Sequence, residues 1–296
     1  MRNITKLRLL AVLAVAASPI RTSQAFAPSV SRKQTNCHKT PLTTSVSIKN
    51  QGVLGDDGQA TIENPRLTGL SFLLDDGTRK SHSIAENTAF VSGFFKGLST
   101  RDSYRTLVTS LYYVYNTMET AFDTVEDVSV QTLDDDELRR LASLERDMEY
   151  FYGLSWRDSL PSPSLATQAY VARIQQVAQN KPYNLIGHQY SRYLGDLFGG
   201  QMMKGMATRS LNLEDGQGVS FYEFDKIDDT KEFITDWYTR LNALDLTDAQ
   251  KKEIVDEANY VFGLNIAIFE ELEGSPFKAM WSLAWKSLKL KLGVAL

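Results

Sequence analysis

The chain has 296 residues, with 32 Lys and Arg, 36 Asp and Glu, three His and one Cys. Hydrophobic residues make up 43% and charged residues 23%, which suits a globular chain long enough for one large domain or two small ones. The net charge of −4 averages two unlike pieces: residues 1–55 carry eight basic residues and no Asp or Glu, whereas 56–296 carry 36 acidic and 24 basic residues. That acidic body excludes general attraction to nucleic-acid phosphates. The one cysteine, Cys37, lies in the basic leader, so the body holds no disulfide, iron–sulfur cluster, zinc–thiolate site or thiol nucleophile.

In chain order, Arg2, Lys6 and Arg8 precede an apolar run from Leu9 to Ala17. The run is too short to span a bilayer, which takes about 20 residues. Ser23-Gln24-Ala25 is a cleavage-type sequence, and an acid-free stretch rich in Ser and Thr follows it. A signal peptide over 1–25 and a transit-like segment over 26–61 form a two-part address. The junction Ala25-Phe26-Ala27-Pro28 resembles the cleavage motif of plastid leaders in algae with secondary plastids. The expectation is delivery to the chloroplast stroma; ordinary secretion with a pro-segment is the alternative.

The body, expected over 62–275, reads as one all-α domain of about eight helices, because its apolar residues recur at intervals of three and four. Helices are expected near 68–75, 78–95, 101–126, 134–150, 165–180, 184–211, 229–243 and 247–273. Val108, Leu111, Tyr115, Met118 and Phe122 form one stripe, and Ala258, Phe262, Asn265, Phe269 and Leu272 form another. The last helix opens on a capping box, Thr247-Asp248-Ala249-Gln250, and Pro161, Pro163 and Pro182 fall between helices. The tail over 277–292 is amphipathic, with Trp281 and Trp285 on one face and Lys278, Lys286, Lys289 and Lys291 around it. Within an expected C-terminal helix over 276–296, it suits either packing on its own domain or peripheral contact with a membrane surface or partner.

Three features carry chemistry. Tyr190 to Gln201 places Gly195 and Gly199 four apart, on one face of a helix that each glycine weakens by roughly 1 kcal/mol. Such a face fits a close helix crossing or a flat bulky ligand, and Arg192 can pair with Asp196 beside it. His82 and Glu86 are one turn apart, so the carboxylate can fix the ring tautomer and leave the other nitrogen for a metal. Tyr115 and Asn265 put polar groups on apolar stripes, where they either bond locally or join a network inside a pocket. His188 reads as a helix-surface residue.

These segments resemble heme oxygenase of the soluble cyanobacterial and red-algal type. The resemblance runs over about 68–274 and rests on His82-x-x-Ala85-Glu86-Asn87, Lys96-Gly97, Tyr112-Tyr113-x-Tyr115, Tyr190-x-Arg192-Tyr193-Leu194-Gly195-Asp196-Leu197-x-Gly199-Gly200-Gln201 and Phe262-x-x-Asn265-x-x-x-Phe269-Glu270-Glu271-Leu272. It implies a heme held between two helices. His82 would be the axial ligand to iron, Glu86 its partner, and Gly195 and Gly199 the opposite wall. Ala85, Phe262 and Phe269 would line the remainder, with Arg79 and Tyr190 at the two positions that meet the heme propionates. Asp196 would hold a water that delivers protons to activated oxygen, with Tyr115, Arg192 and Asn265 extending the chain. The implied reaction uses O2 and electrons from ferredoxin to give biliverdin, carbon monoxide and ferrous iron, and a bilin reductase is a partner downstream.

The sequence departs from the resemblance where the heme propionates need cations. Asp75, Ile234 and Tyr238 stand at three basic positions, and Phe198 replaces a small polar residue. Arg240 or Lys231 are candidates to compensate, and Phe198 either crowds the pocket or turns outward. The alternative function is a protein of this fold that binds heme or another tetrapyrrole weakly, without turnover. Thiamin-degrading relatives of the fold need a cysteine that the body lacks.

Overall fold

The computed structural model describes residues 64–95, 100–214 and 216–272. The leader segments and the C-terminal amphipathic helix lie outside the described residues. Within the described residues every regular element is helical, as the periodicity requires. The α-helices are α1 (Gly69–Glu86), α2 (Ala89–Phe95), α3 (Arg101–Thr124), α4 (Val128–Thr132), α5 (Leu141–Tyr152), α6 (Leu165–Asn180), α7 (Leu185–Gln189), α8 (Gly195–Ser210), α9 (Thr230–Ala243) and α10 (Asp248–Leu272). None is long and apolar enough to cross a membrane.

Local chemistry explains most boundaries. Thr100 and Ser103 form a capping box at the start of α3. At α10, Gln250 N–H donates to Thr247 Oγ1 at 3.2 Å while Thr247 N–H donates to Gln250 Oε1 at 2.9 Å. The expected helix over 134–150 begins later, at Leu141, after a run of turns. The short α4 was not anticipated; Asp127 caps it by accepting from Ser129 and Val130 N–H.

The break expected at Gly77 does not occur, and α1 is one continuous helix. Gly77 instead marks a close crossing, since a Cβ there would lie 2.5 Å from Val255 Cγ1 of α10. α1 packs mainly on α10, and its start is tied to α9 by Asn242. Asn242 accepts from Ser71 N–H at 3.0 Å and donates to the Pro65 carbonyl at 2.6 Å. Gly69 permits this clasp: its φ is +55°, and a Cβ would lie 2.6 Å from Asn242 Oδ1.

Between α7 and α8 the chain stays helical but widens into one π-helical turn, Tyr190–Leu194. Such turns insert an extra residue into the helix and recur at functional sites. The α7 segment crosses α10 so closely that a Cβ on Gly187 would meet Ala258 N at 2.9 Å and Ile254 O at 3.1 Å. That crossing buries His188 completely. The surface expectation for His188 is therefore wrong: every side of this segment packs against other helices, and the ring Nε2 sits 3.1 Å from Glu257 Oε1.

Candidate functional site

Four elements converge on one buried polar network. The apolar stripes of α3 and α10 turn Tyr115 and Asn265 inward, the π turn supplies Arg192, and the first turn of α8 supplies Asp196. None of the four is more than 2% exposed. Tyr115 Oη donates to Asp196 Oδ2. Arg192 Nη2 reaches both Asp196 oxygens at 3.2 Å, its Nη1 donates to Asn265 Oδ1 at 2.8 Å, and its Nε donates to Tyr115 Oη at 3.3 Å. Asn265 Nδ2 donates onward to the Val261 carbonyl at 3.0 Å. Tyr115 and Asn265 thus share one buried network, and Asn265 also bonds locally to Val261.

The network is electrostatically tuned. Burial pushes the Asp196 carboxyl up to about 6, although the Arg192 charge and the Tyr115 hydrogen bond pull it down. Burial also works against the Arg192 charge, but Asp196 and Tyr115 outweigh it, so the guanidinium remains charged. Burial drives the Tyr115 phenol well above its ordinary value, which keeps its proton on Oη for donation.

His82 and Glu86 lie together on α1. His82 is 8% exposed, and its Nδ1 stands 3.6 Å from Glu86 Oε2, long for a direct hydrogen bond. Burial raises the Glu86 carboxyl to about 7. The imidazole meets the Phe262 ring edge-on, with centroids 5.8 Å apart. Ala85, Phe262 and Ile266 form a small apolar cluster separate from the main core. Phe269 stacks on Phe90 at 5.6 Å, behind that cluster in sequence and within the core. Gly195 and Gly199 are buried on α8.

The residues expected at the propionate end divide differently. Tyr190 is buried in the π turn, with its hydroxyl beside Thr78 of α1. Arg79 is 66% exposed and tied to Asp76 at 3.2 Å and Asp75 at 3.7 Å. Arg240 does not compensate for Ile234 and Tyr238, because Asp135, Asp236 and the Thr132 carbonyl already occupy its guanidinium. Phe198 turns toward Arg66, whose guanidinium carbon lies 6.0 Å from its ring centroid.

Sequence reasoning missed several buried charges. Glu119 is 5% exposed and accepts from Arg140 N–H at 2.6 Å, Leu141 N–H at 3.1 Å and Tyr193 Oη at 3.2 Å. It lies one turn beyond Tyr115, so a carboxylate on an apolar stripe was the available signal. Asp147 accepts from Ser220 and Phe221 N–H, each at 2.8 Å, and fixes the turn over 220–222.

Comparison with known proteins decides the family. A heme oxygenase sequence profile matches residues 68–271. The chain is 43% identical over 225 residues to heme oxygenase 1 of Nostoc sp., an alignment covering 76% of this chain and 94% of the relative. The chain belongs to the heme oxygenase family. A heme oxygenase of the alga Guillardia theta is 44% identical over 207 residues, covering 70% of this chain and 87% of the relative. The structure of heme oxygenase-1 from the cyanobacterium Synechocystis sp., solved in complex with heme, superposes with a TM-score of 0.67 at 44% identity, covering 75% of this chain and all of that one.

The residues present fit the group that the family name implies. Among the described residues His82 is one buried imidazole beside Phe262 and Ala85, and a single imidazole suits an iron whose other ligands come from a macrocycle. The buried Tyr238 hydroxyl, without a hydrogen-bond partner, suits a ligand that brings an acceptor.

Proposed function

We propose that this heme oxygenase family member binds heme as substrate and opens it to biliverdin, carbon monoxide and ferrous iron, with O2 as oxidant and ferredoxin as electron donor. The observation that carries the reading is the intact network of Tyr115, Arg192, Asp196 and Asn265, less than 3% exposed throughout. Bound heme supplies the iron at which dioxygen is activated. His82 would offer Nε2 to the iron, while Nδ1 faces Glu86 at 3.6 Å, a distance that one bridging water would span to set the ring tautomer. Gly195 and Gly199 would give the ring a face of α8 without side chains. Asp196 has a carboxyl near 6, close to neutrality, so Oδ1 and Oδ2 can hold a water as acceptors and pass protons through it. Tyr115 keeps a proton on Oη, and Arg192 locks the carboxylate in one orientation.

The leader supports delivery to a plastid stroma, where ferredoxin is the available reductant and a bilin reductase would consume the product. Weak tetrapyrrole binding without turnover remains the second reading, favoured by Arg79 being tied to two carboxylates of its own helix. Anaerobic titration with heme, then addition of O2 and reduced ferredoxin, separates the two. Bilin absorbance supports the oxygenase; a stable heme complex with no bilin supports the binding protein. Loss of the sharp Soret band in His82→Ala is expected, and an unchanged spectrum would reject His82 as the ligand.

A further inference from the structure

We infer that Arg66, on the turn ahead of α1, is the cation that receives a carboxylate of the bound ligand, with Tyr190 and Tyr238 as neutral donors beside it. The inference rests on the heme reading, since heme carries two propionate carboxylates at one edge. What it adds is the cation, Arg66, and the second phenol, Tyr238; Tyr190 was already expected at that edge from the resemblance.

Arg66 lies in the short helical turn Pro65–Leu67. Its Nη2 donates to Asp75 Oδ1 at 3.0 Å, and the two side chains are 21% and 16% exposed. Among the described residues Asp75 is the one hydrogen-bond acceptor of that guanidinium, so most of the planar donor fork remains for another carboxylate. The guanidinium also faces the ring of Phe198, which lies two residues beyond Asp196 on α8. Arg66 thus joins the start of α1 to the helix that carries the glycine wall.

Tyr190 and Tyr238 are each 1% exposed; the Tyr238 hydroxyl has no hydrogen-bond partner, and the Tyr190 hydroxyl has Thr78 beside it. Buried O–H groups are normally satisfied, so the Tyr238 hydroxyl marks a place for a ligand that supplies an acceptor. Burial raises both phenols, which keeps their protons on for donation. A cation and two O–H donors form a receptor for a carboxylate.

The receptor is anchored. Tyr238 and Asn242 lie one turn apart on α9, and Asn242 clasps the Pro65 carbonyl at 2.6 Å. The helix that presents Tyr238 therefore also fixes the turn that presents Arg66. Asn64 Oδ1 adds a cap on Arg66 N–H at 3.1 Å. Asp75 is a positioning residue: it holds the guanidinium in place and does not touch the ligand.

The test measures equilibrium binding of iron protoporphyrin IX and of its dimethyl ester by absorbance titration. The proteins are the full chain, Arg66→Ala, Arg66→Lys and Tyr238→Phe. Expected is a loss of about 10-fold in affinity for the diacid in Arg66→Ala, with the ester unchanged within about twofold. Arg66→Lys should recover part of the loss, and Tyr238→Phe should lose about threefold for the diacid alone. Equal losses for diacid and ester would assign Arg66 a purely structural role and overturn the inference, as would unchanged diacid affinity. A parent chain that binds neither ligand would overturn the heme reading and this inference with it.

Discussion

Arg192 and Asp196 form an ion pair at 3.2 Å across the seam where the π turn gives way to α8, with 2% of each side chain exposed. Removing one partner of a buried pair leaves the other charged in a low-dielectric site. Arg192→Met should therefore destabilise the chain by about 3–5 kcal/mol in urea unfolding. Arg192→Met with Asp196→Asn should recover a substantial part, because no uncompensated charge remains. A double variant no more stable than Arg192→Met would show that the loss comes from packing.

The same carboxylate should leave a signature in pH. Asp196 titrates near 6 in the folded chain against 3.8 for an ordinary aspartate. Between those values the folded state holds a proton that the unfolded state has released, so this group's contribution falls as pH rises through the window and is level above it. Asp196→Asn does not titrate. The stability difference between variant and parent should shift in the variant's favour by on the order of 3 kcal/mol from pH 4 to pH 6.5. Chemical unfolding at a series of pH values checks the sign.

In catalysis, the proposed role of Asp196 predicts a split between binding and turnover. Asp196→Asn should keep heme affinity within about twofold while lowering the rate of bilin formation by about 100-fold. Heme titration and single-turnover absorbance separate the two quantities. Retained bilin formation would remove Asp196 from proton delivery.

The helices were legible because burial on one face writes a 3.6-residue period into α3 and α10, and because Thr247 and Gln250 announce a start. Tyr115 and Asn265 were legible as polar interruptions of those stripes. The region from Leu185 to Leu194 is buried on every side, so periodicity carried no contrast there, and it hid both the depth of His188 and the π turn. Arg66 was invisible for another reason. Its neighbours Phe198, Tyr190 and Tyr238 are distant in sequence, and the Asn242 clasp that ties its turn to α9 is a tertiary contact.

Gly187 offers a packing test. A methyl group there would strike backbone atoms of α10, which cannot rotate away. Gly187→Ala should cost about 1–3 kcal/mol despite alanine's better helix propensity. Gly77→Ala should also destabilise, but there the obstacle is the Val255 side chain, so adding Val255→Ala should restore stability. Thermal unfolding of the three variants distinguishes a backbone obstacle from a side-chain one.

Glu257 gives the opposite pH signature from Asp196. It is 2% exposed on its side chain and accepts from Arg173 Nε at 3.0 Å and His188 Nε2 at 3.1 Å. Burial alone would raise its carboxyl, but the hydrogen bonds from His188 and Arg173 outweigh burial and hold it below 4.5. Its contribution is therefore fully present above about 4.5 and is lost as pH falls through the lowered folded value. Glu257→Gln should destabilise the chain by about 2 kcal/mol or more at pH 7. The gap to the parent should narrow as pH drops below 4.5, because the parent loses the interaction and the variant has none to lose. A gap that widened on acidification would show that the carboxylate is destabilised by its surroundings and that Arg173 and His188 do not compensate for its burial.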